Sequence, residues 1–420
     1  MPADPRYVII GASLAGAKAA ETLRAEGFDG TVVLIGAESE RPYERPPLSK
    51  GFLLGKEEKN KAYVHDEGWY GEHEVELRLG VAALAVDRAS RRVELADGAF
   101  IGYDKLLITT GASPRRLNVA GGDLDGVLYL RTVADSERLM AAFKAVGEVG
   151  GRVVIAGAGW IGLETAAAAR HYGCEVAVVE PEPAPLSRAL GPELGGVFAD
   201  LHRRHGVEFH LGTGVGEFRG GAGASSRRLG AVVTSDGTEL TADLAVVGIG
   251  ALPNTSLAES AGLKVENGVV VDSALTTSDP DIYAAGDVAN AWHPLLHRRV
   301  RVEHWANALN SGPAAARSML GQQVSYDRVP YFFSDQYELG METSGLPDGG
   351  YDQVVYRGEP SSLEFIAFWL AGARVVAGMN VNIWDATDDI QALIRAGVPV
   401  DAARLADPAV ALSDLVPKPA

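Results

Sequence analysis

Residues 152–180 read RVVIAGAGWIGLETAAAARHYGCEVAVVE. The stretch predicts a buried strand over Val153–Ala156, a turn Gly157-Ala158-Gly159-Trp160-Ile161-Gly162, and a helix over Leu163–Tyr172. A second strand over Val176–Val179 follows, closed by Glu180. Each glycine has its own task. Gly157 permits the tight turn, Gly159 lets the backbone approach a pyrophosphate, and Gly162 lets helix pack on strand. The helix N-terminus, with Trp160 and Ile161, then turns unpaired N–H groups toward anionic phosphates. An acid about twenty residues on, at the end of the second strand, suits a ribose 2′-hydroxyl. Strand, turn, helix, strand and Glu180 in register mark a dinucleotide site rather than an ordinary glycine-rich turn.

The N-terminus repeats the pattern. A strand over Tyr7–Ile10 leads into Gly11-Ala12-Ser13-Leu14-Ala15-Gly16, a helix through Lys18–Ala25 and a strand over Thr31–Ile35. Ser13 stands where the middle glycine is expected; its small side chain still permits close approach to phosphate. Glu38 is the nearest acid for a ribose. Two such folds in one chain imply two nucleotides, because flavin must meet nicotinamide for hydride transfer. The expected pair is FAD and NAD(P)H.

At 420 residues the chain is long for one core. Its 47% hydrophobic and 22% charged content is that of a globular protein. A net charge of −17 argues against nucleic acid and anionic membrane as partners. No stretch approaches the length of a membrane span or has the layout of a secretory signal, so a cytoplasmic location is expected. The single cysteine, Cys174, excludes an internal disulfide or redox-active pair, and the nine histidines show no spaced ligand motif, so no protein-bound metal is expected.

Between the two turns lies Arg41-Pro42-Tyr43-Glu44-Arg45-Pro46-Pro47-Leu48-Ser49-Lys50, which by itself reads as a stiff exposed loop. Set between GASLAG and GAGWIGLE, it resembles the flavin-dependent ferredoxin reductases that serve bacterial cytochromes P450 and aromatic-ring dioxygenases. Rubredoxin reductases and apoptosis-inducing-factor-like proteins are relatives. The resemblance covers essentially the whole chain. It implies an α/β fold of two Rossmann-like domains, the second inserted in the first, plus a small C-terminal α+β domain. Residues 1–116 and 243–323 are expected to bind FAD, 117–242 NAD, and 324–420 to form the C-terminal domain.

The resemblance also implies site residues. Lys50 lies at the flavin ring, paired with Glu164 of the second turn, and Arg45 lies near the cofactor phosphates. Many members carry the first ribose acid one position earlier, where this chain has Ala37. Val81, expected in a strand Val81–Val86, matches a backbone contact to adenine. Thr110 and Gly111, Arg131, and the Asp287-Val288 end of DIYAAGDV are expected at FAD. The turn Glu303–Trp305, opening a helix from Arg301 to about Leu320, is expected at the pyrimidine end of the flavin. Gly250 ends a strand and loop returning beneath nicotinamide. Residues 219–228 read as an exposed hairpin loop.

The expected activity is transfer of electrons from NADH through FAD to a small acidic [2Fe–2S] ferredoxin that feeds a P450 or dioxygenase. A disulfide reductase needs a cysteine pair in the loop before Lys50, which this loop lacks. Reduction of rubredoxin or another small one-electron acceptor, and a slow-turnover redox sensor, stay open as alternatives. The basic cluster His297–Arg301 is a candidate for steering an acidic carrier.

Overall fold

Strands buried on both faces need near-continuous apolar runs, and those in this chain have them. The computed structural model describes residues 4–221 and 227–416. They form two compact units. One contains Met1–Glu44, Lys59–Ser113 and Leu252–Pro330; the other contains Arg45–Glu58, Pro114–Ala251 and Tyr331–Ala420.

In the first unit a five-stranded parallel sheet runs in the order Ile282–Ala284, Lys105–Ile108, Arg6–Ile10, Thr31–Ile35, Val75–Arg78. The helix Leu14–Ala25 follows the first glycine turn. The long helix Trp305–Met319 crosses it where Gly312 meets Ala15; a Cβ at Gly312 would stand 2.2 Å from the Ala15 carbonyl oxygen. That helix starts at Trp305 and not at Arg301, because His304 is extended. Val81 precedes its strand, which spans Ala83–Asp87. Asp287 lies within a single 3-10 turn, Gly286–Val288, and not at the start of an α-helix.

In the second unit a parallel sheet runs in the order Val207–Leu211, Glu175–Glu180, Arg152–Ala156, Leu244–Val247, Val127–Leu128. The helix Trp160–His171 lies between its two central strands in sequence. An antiparallel sheet follows in the order Tyr331–Gln336, Leu339–Gly345, Arg374–Val381, Glu364–Ala371, Gln353–Glu359. Trp369 of this sheet is fully buried and donates its indole N–H to the Leu190 carbonyl at 3.2 Å. The strands Val215–Gly220 and Leu229–Thr234 pair antiparallel, as the expected hairpin requires, while residues 222–226 of its loop lie outside the described residues. Among the described residues no helix is long and apolar enough to cross a membrane.

The helix crossing at Gly312 yields a prediction. A helical Gly→Ala change normally gains about 1 kcal/mol. Here the new methyl meets backbone, and overpacking of that kind costs about 1–3 kcal/mol. Gly312→Ala should therefore lower the melting temperature; an unchanged or higher value in a thermal scan would show that the helices can part without loss.

Candidate active site

The second glycine turn shows the division of labour expected of it. Gly157 has φ +100°, and a Cβ there would meet the Gly248 carbonyl oxygen at 2.5 Å. At Gly162 it would meet the Gly157 carbonyl oxygen at 2.0 Å, so the helix sits directly on the turn. Gly159 has nothing within 4 Å of that position, and no side chain caps the helix it precedes. The first turn of that helix is thus left without a side-chain cap, an arrangement open to an anion. The Trp160 ring packs on Phe332 at 4.7 Å and Phe198 at 5.6 Å, which leaves its backbone for a ligand; Ile161 is exposed. Glu180 accepts from the Ala158 N–H at 2.6 Å and the Glu182 N–H at 3.0 Å, tying strand end to turn. Arg188 pairs with Glu182 at 2.8 Å. Gly250 has φ +101°, with open space beside it.

The first turn is built alike. Gly11 has φ +121° and lies against Thr109, and a Cβ at Gly16 would meet the Gly11 carbonyl oxygen at 2.2 Å. Ser13 adopts the extended conformation that precedes the helix and makes no capping bond, leaving the N–H groups of Leu14 and Ala15 uncapped by it. Gly286, φ +74°, brings the Asp287–Val288 turn against Ala15, and its N–H is held by the buried Ser311 hydroxyl at 2.9 Å. On the far edge Val81 N–H donates to Gly36 at 3.1 Å and Gly80 N–H to the Glu38 carbonyl at 2.9 Å. Glu38 also accepts from the Tyr43 hydroxyl. Thr110 and Gly111 are clamped by Asn254, which exchanges bonds of 2.8 Å with Thr110 and donates its N–H to Gly111 at 2.9 Å. The first unit thus gathers Gly11–Gly16, Glu38, Val81, Thr110, Gly111, Asp287 and Val288 around the carboxyl ends of its parallel strands, where such sheets bind ligands.

The Trp305 indole N–H is given to Glu44 at 3.1 Å, and burial raises the pKa of that carboxyl. The basic cluster is also largely spent. Arg299 donates to the Val271 and Asn290 carbonyls at 2.7 and 3.2 Å. Arg301 pairs with Glu303 and donates to the Asp287 carbonyl at 3.3 Å, which fixes the Asp287 turn instead of facing a partner.

In the second unit Lys50 Nζ reaches Glu164 Oε1 at 2.7 Å, with Lys50 also 5.2 Å from the Phe333 ring centre. Glu164 is only 3% exposed and accepts further from Ser49 and, at 2.7 Å, from Ser334. Gln336 Nε2 lies 3.1 Å from Ser334 Oγ, and Gln336 Oε1 lies 2.8 Å from His202 Nε2. The sequence offered no motif for Ser334, Gln336 or His202. Beside them, burial raises the pKa of Asp335, Glu164 and Glu342 add to the rise, and Lys50 opposes it. Arg45 donates to the Arg131 carbonyl, and Arg131 N–H to Asp135 at 3.1 Å. Cys174 is buried, its thiol on the Phe143 carbonyl at 3.3 Å, and burial pushes its pKa up to about 11.

Residues 5–312 match the family described as pyridine nucleotide-disulphide oxidoreductase, and residues 331–416 the reductase C-terminal family. The chain belongs to the pyridine nucleotide-disulphide oxidoreductase family. Within it, the chain is 43% identical to the anthranilate 1,2-dioxygenase system ferredoxin–NAD(+) reductase component of Burkholderia cepacia, over 98% of this chain and 99% of that one. It is 36% identical to putidaredoxin reductase of Pseudomonas putida, over 99% and 98% of the two chains. The reductase in the crystal structure of the covalent putidaredoxin reductase–putidaredoxin complex matches with a TM-score of 0.93 at 36% identity, over 99% of this chain and 98% of that one. Members are oxidoreductases, and this fold class is the one that the paired glycine turns imply.

Two outcomes follow from the second glycine turn and the site beside it. A 2′-phosphate would meet the carboxylates of Glu180 and Glu182, with Arg188 already engaged. The dissociation constant of NADPH should therefore exceed that of NADH by about tenfold or more. Glu180→Ala should narrow the gap in calorimetric titrations, and equal wild-type affinities would refute the assignment. Burial also lowers the pKa of His202 from 6.5 to about 4. As pH falls through that window the unfolded chain takes up the proton first, so stability is present above it and is lost on the way down. Denaturant unfolding of His202→Gln across the window should show a shallower decline than the wild type.

Proposed function

We propose that this protein is an NADH-dependent flavoprotein reductase that passes electrons through FAD to a small acidic [2Fe–2S] ferredoxin, which serves a cytochrome P450 or a ring-hydroxylating dioxygenase. The observation that carries the reading is the Lys50–Glu164 pair beside the second glycine turn, in a chain whose one thiol is buried elsewhere. The names of the relatives, a dioxygenase-system ferredoxin reductase and putidaredoxin reductase, favour this acceptor class. Residues 1–116 and 243–323 would hold FAD, 117–242 NADH, with 324–420 completing the molecule. The setting is the cytoplasm, where NADH is available.

FAD, when bound, supplies the ability to accept a hydride from NADH and release electrons singly. The chain's own residues bind and align. Gly11, Ser13, Leu14, Ala15 and Gly16 offer backbone N–H groups to the FAD pyrophosphate, and Glu38 offers a carboxylate to its ribose. Val81 meets the adenine, and Thr110, Gly111, Asp287, Val288 and Trp305 line the remainder. Gly157, Gly159, Trp160, Ile161 and Gly162 present N–H groups to the NADH pyrophosphate; Glu180 accepts from its ribose, and Gly250 leaves room for the nicotinamide. Arg45 and Arg131 contribute positive charge toward the FAD. Lys50, its ammonium neutralised by Glu164, frames the niche in which nicotinamide and flavin align, and alignment is what hydride transfer needs. No protein group has to give or take a proton at a carbon.

Denatured holoenzyme should release about one FAD per chain. NADH-driven cytochrome c reduction should depend on added [2Fe–2S] ferredoxin. Lys50→Ala should keep its flavin yet slow flavin reduction by NADH about tenfold or more. It should also lose about 3–5 kcal/mol of stability, because Glu164 is left buried without its cation. Absence of flavin, or ferredoxin turnover no faster than the reaction without ferredoxin, would sink the reading.

A further inference from the structure

Glu164 takes three donors from two parts of the second unit, and only Lys50 and Glu164 themselves have a role in the reading above. The other bonds have a direction. Ser334 has one hydroxyl proton, and it is given to Glu164 Oε1 at 2.7 Å. Its oxygen therefore accepts from Gln336 Nε2 at 3.1 Å, which turns the Gln336 carbonyl oxygen toward His202. His202, fully buried and held neutral by burial, must then carry its proton on Nε2, 2.8 Å from that oxygen. Every proton in the series His202, Gln336, Ser334 points toward one carboxylate, an arrangement in which each bond polarises the next.

Mutual satisfaction of buried polar groups is the ordinary explanation for such a chain. Two observations go against it. The Nδ1 atom of His202 has no hydrogen-bond partner among the described residues, so the ring is retained at a cost for the sake of its other nitrogen. The rings of Phe209 and Tyr337 stand edge-on to the imidazole at 6.1 and 5.0 Å, and would pack an apolar side chain as well. The groups facing Glu164 are Lys50 and Ser49 from the loop, Ser334 from the strand and, nearby, the carboxyl of Asp335. With that acid adding repulsion, a donor chain from the far side keeps Glu164 aimed at Lys50.

We propose that Ser334, Gln336 and His202 are positioning residues, a one-way donor chain that holds the Glu164 carboxylate in a single orientation and so fixes the Lys50 ammonium where nicotinamide and flavin meet. This rests on the assignment of Lys50 and Glu164 to that niche. The chain joins the helix Pro192–Arg204 to the strand Tyr331–Gln336 and ends on the helix Trp160–His171, so its parts are positioned by tertiary structure alone.

The test uses FAD-loaded Ser334→Ala, Ser334→Thr, His202→Phe and Lys50→Ala beside the wild type. Rapid-mixing measurements of flavin reduction over a range of NADH separate the limiting rate from the dissociation constant. Acetylation of Lys50 by acetic anhydride without NADH, mapped by peptide mass spectrometry, reports how firmly the ammonium is held. Ser334→Ala should lower the limiting rate about tenfold, the scale of one bond to a charged group. NADH affinity should be little changed, the melting temperature should fall because Glu164 and Gln336 each lose a buried partner, and Lys50 acetylation should rise several-fold. Ser334→Thr should restore both readouts, and His202→Phe should move both in the same direction by less. Wild-type rate and Lys50 reactivity in Ser334→Ala and His202→Phe would overturn the proposal. So would a rate loss that Ser334→Thr does not recover and that follows flavin release. If Lys50→Ala itself reduces flavin at the wild-type rate, the niche assignment fails, while the acetylation result still decides whether the chain holds the ammonium.

Discussion

A carboxylate that is 3% exposed sets the terms for the second unit. Removing such a charge from water costs several kcal/mol unless its lone pairs are met by donors and its charge by a cation. Glu164 is met by the ammonium of Lys50 and by the hydroxyls of Ser49 and Ser334. Those three residues come from the loop after the first nucleotide fold and from the first strand of the antiparallel sheet, while Glu164 itself belongs to the glycine-turn helix. One buried charge thus specifies how three distant stretches of chain must come together. Hydrophobic contacts could bring them together as tightly, but they would not select one orientation of one ammonium.

Much of this was legible in the sequence because it rests on local rules. Glycines with positive φ, a helix launched from an extended residue, and apolar runs as long as a strand all leave marks within a few residues of one another. The segment Thr31–Ile35 lies where the sequence predicts it. Other features depend on tertiary context. His304 is extended, so the long helix begins later than its composition suggests, and Val81 precedes its strand, held there by the Gly36 carbonyl. The arginines of the basic cluster read as a surface patch until Arg299 and Arg301 are seen bonded to backbone carbonyls of their own unit. Ser334 and Gln336 did carry a signal of a kind. They occupy the buried face of an alternating strand, where polar residues demand partners that only the folded chain supplies.

The family is named for disulphide chemistry, yet the loop that would present a thiol pair here presents Ser49 and Lys50, and the only thiol is sealed in the nucleotide fold. The scaffold keeps the paired nucleotide sites and changes what stands beside them. Lys50 and Glu164 form an ion pair there and offer no thiol for a covalent intermediate. Fold and function part company at a few side chains, as they often do.

The two units alternate along the chain in six segments. During translation the stretch that carries Lys50 emerges long before Glu164, and Glu164 long before Ser334. No nascent chain that ends before the strand Tyr331–Gln336 contains all the donors to that carboxylate, so Glu164 has every reason to stay hydrated while the ribosome is at work. The second unit closes only after the strand Tyr331–Gln336 has emerged, through contacts between residues far apart in sequence, and such contacts form slowly. Its apolar strands stay uncovered in the meantime, the condition in which chains are most prone to associate wrongly.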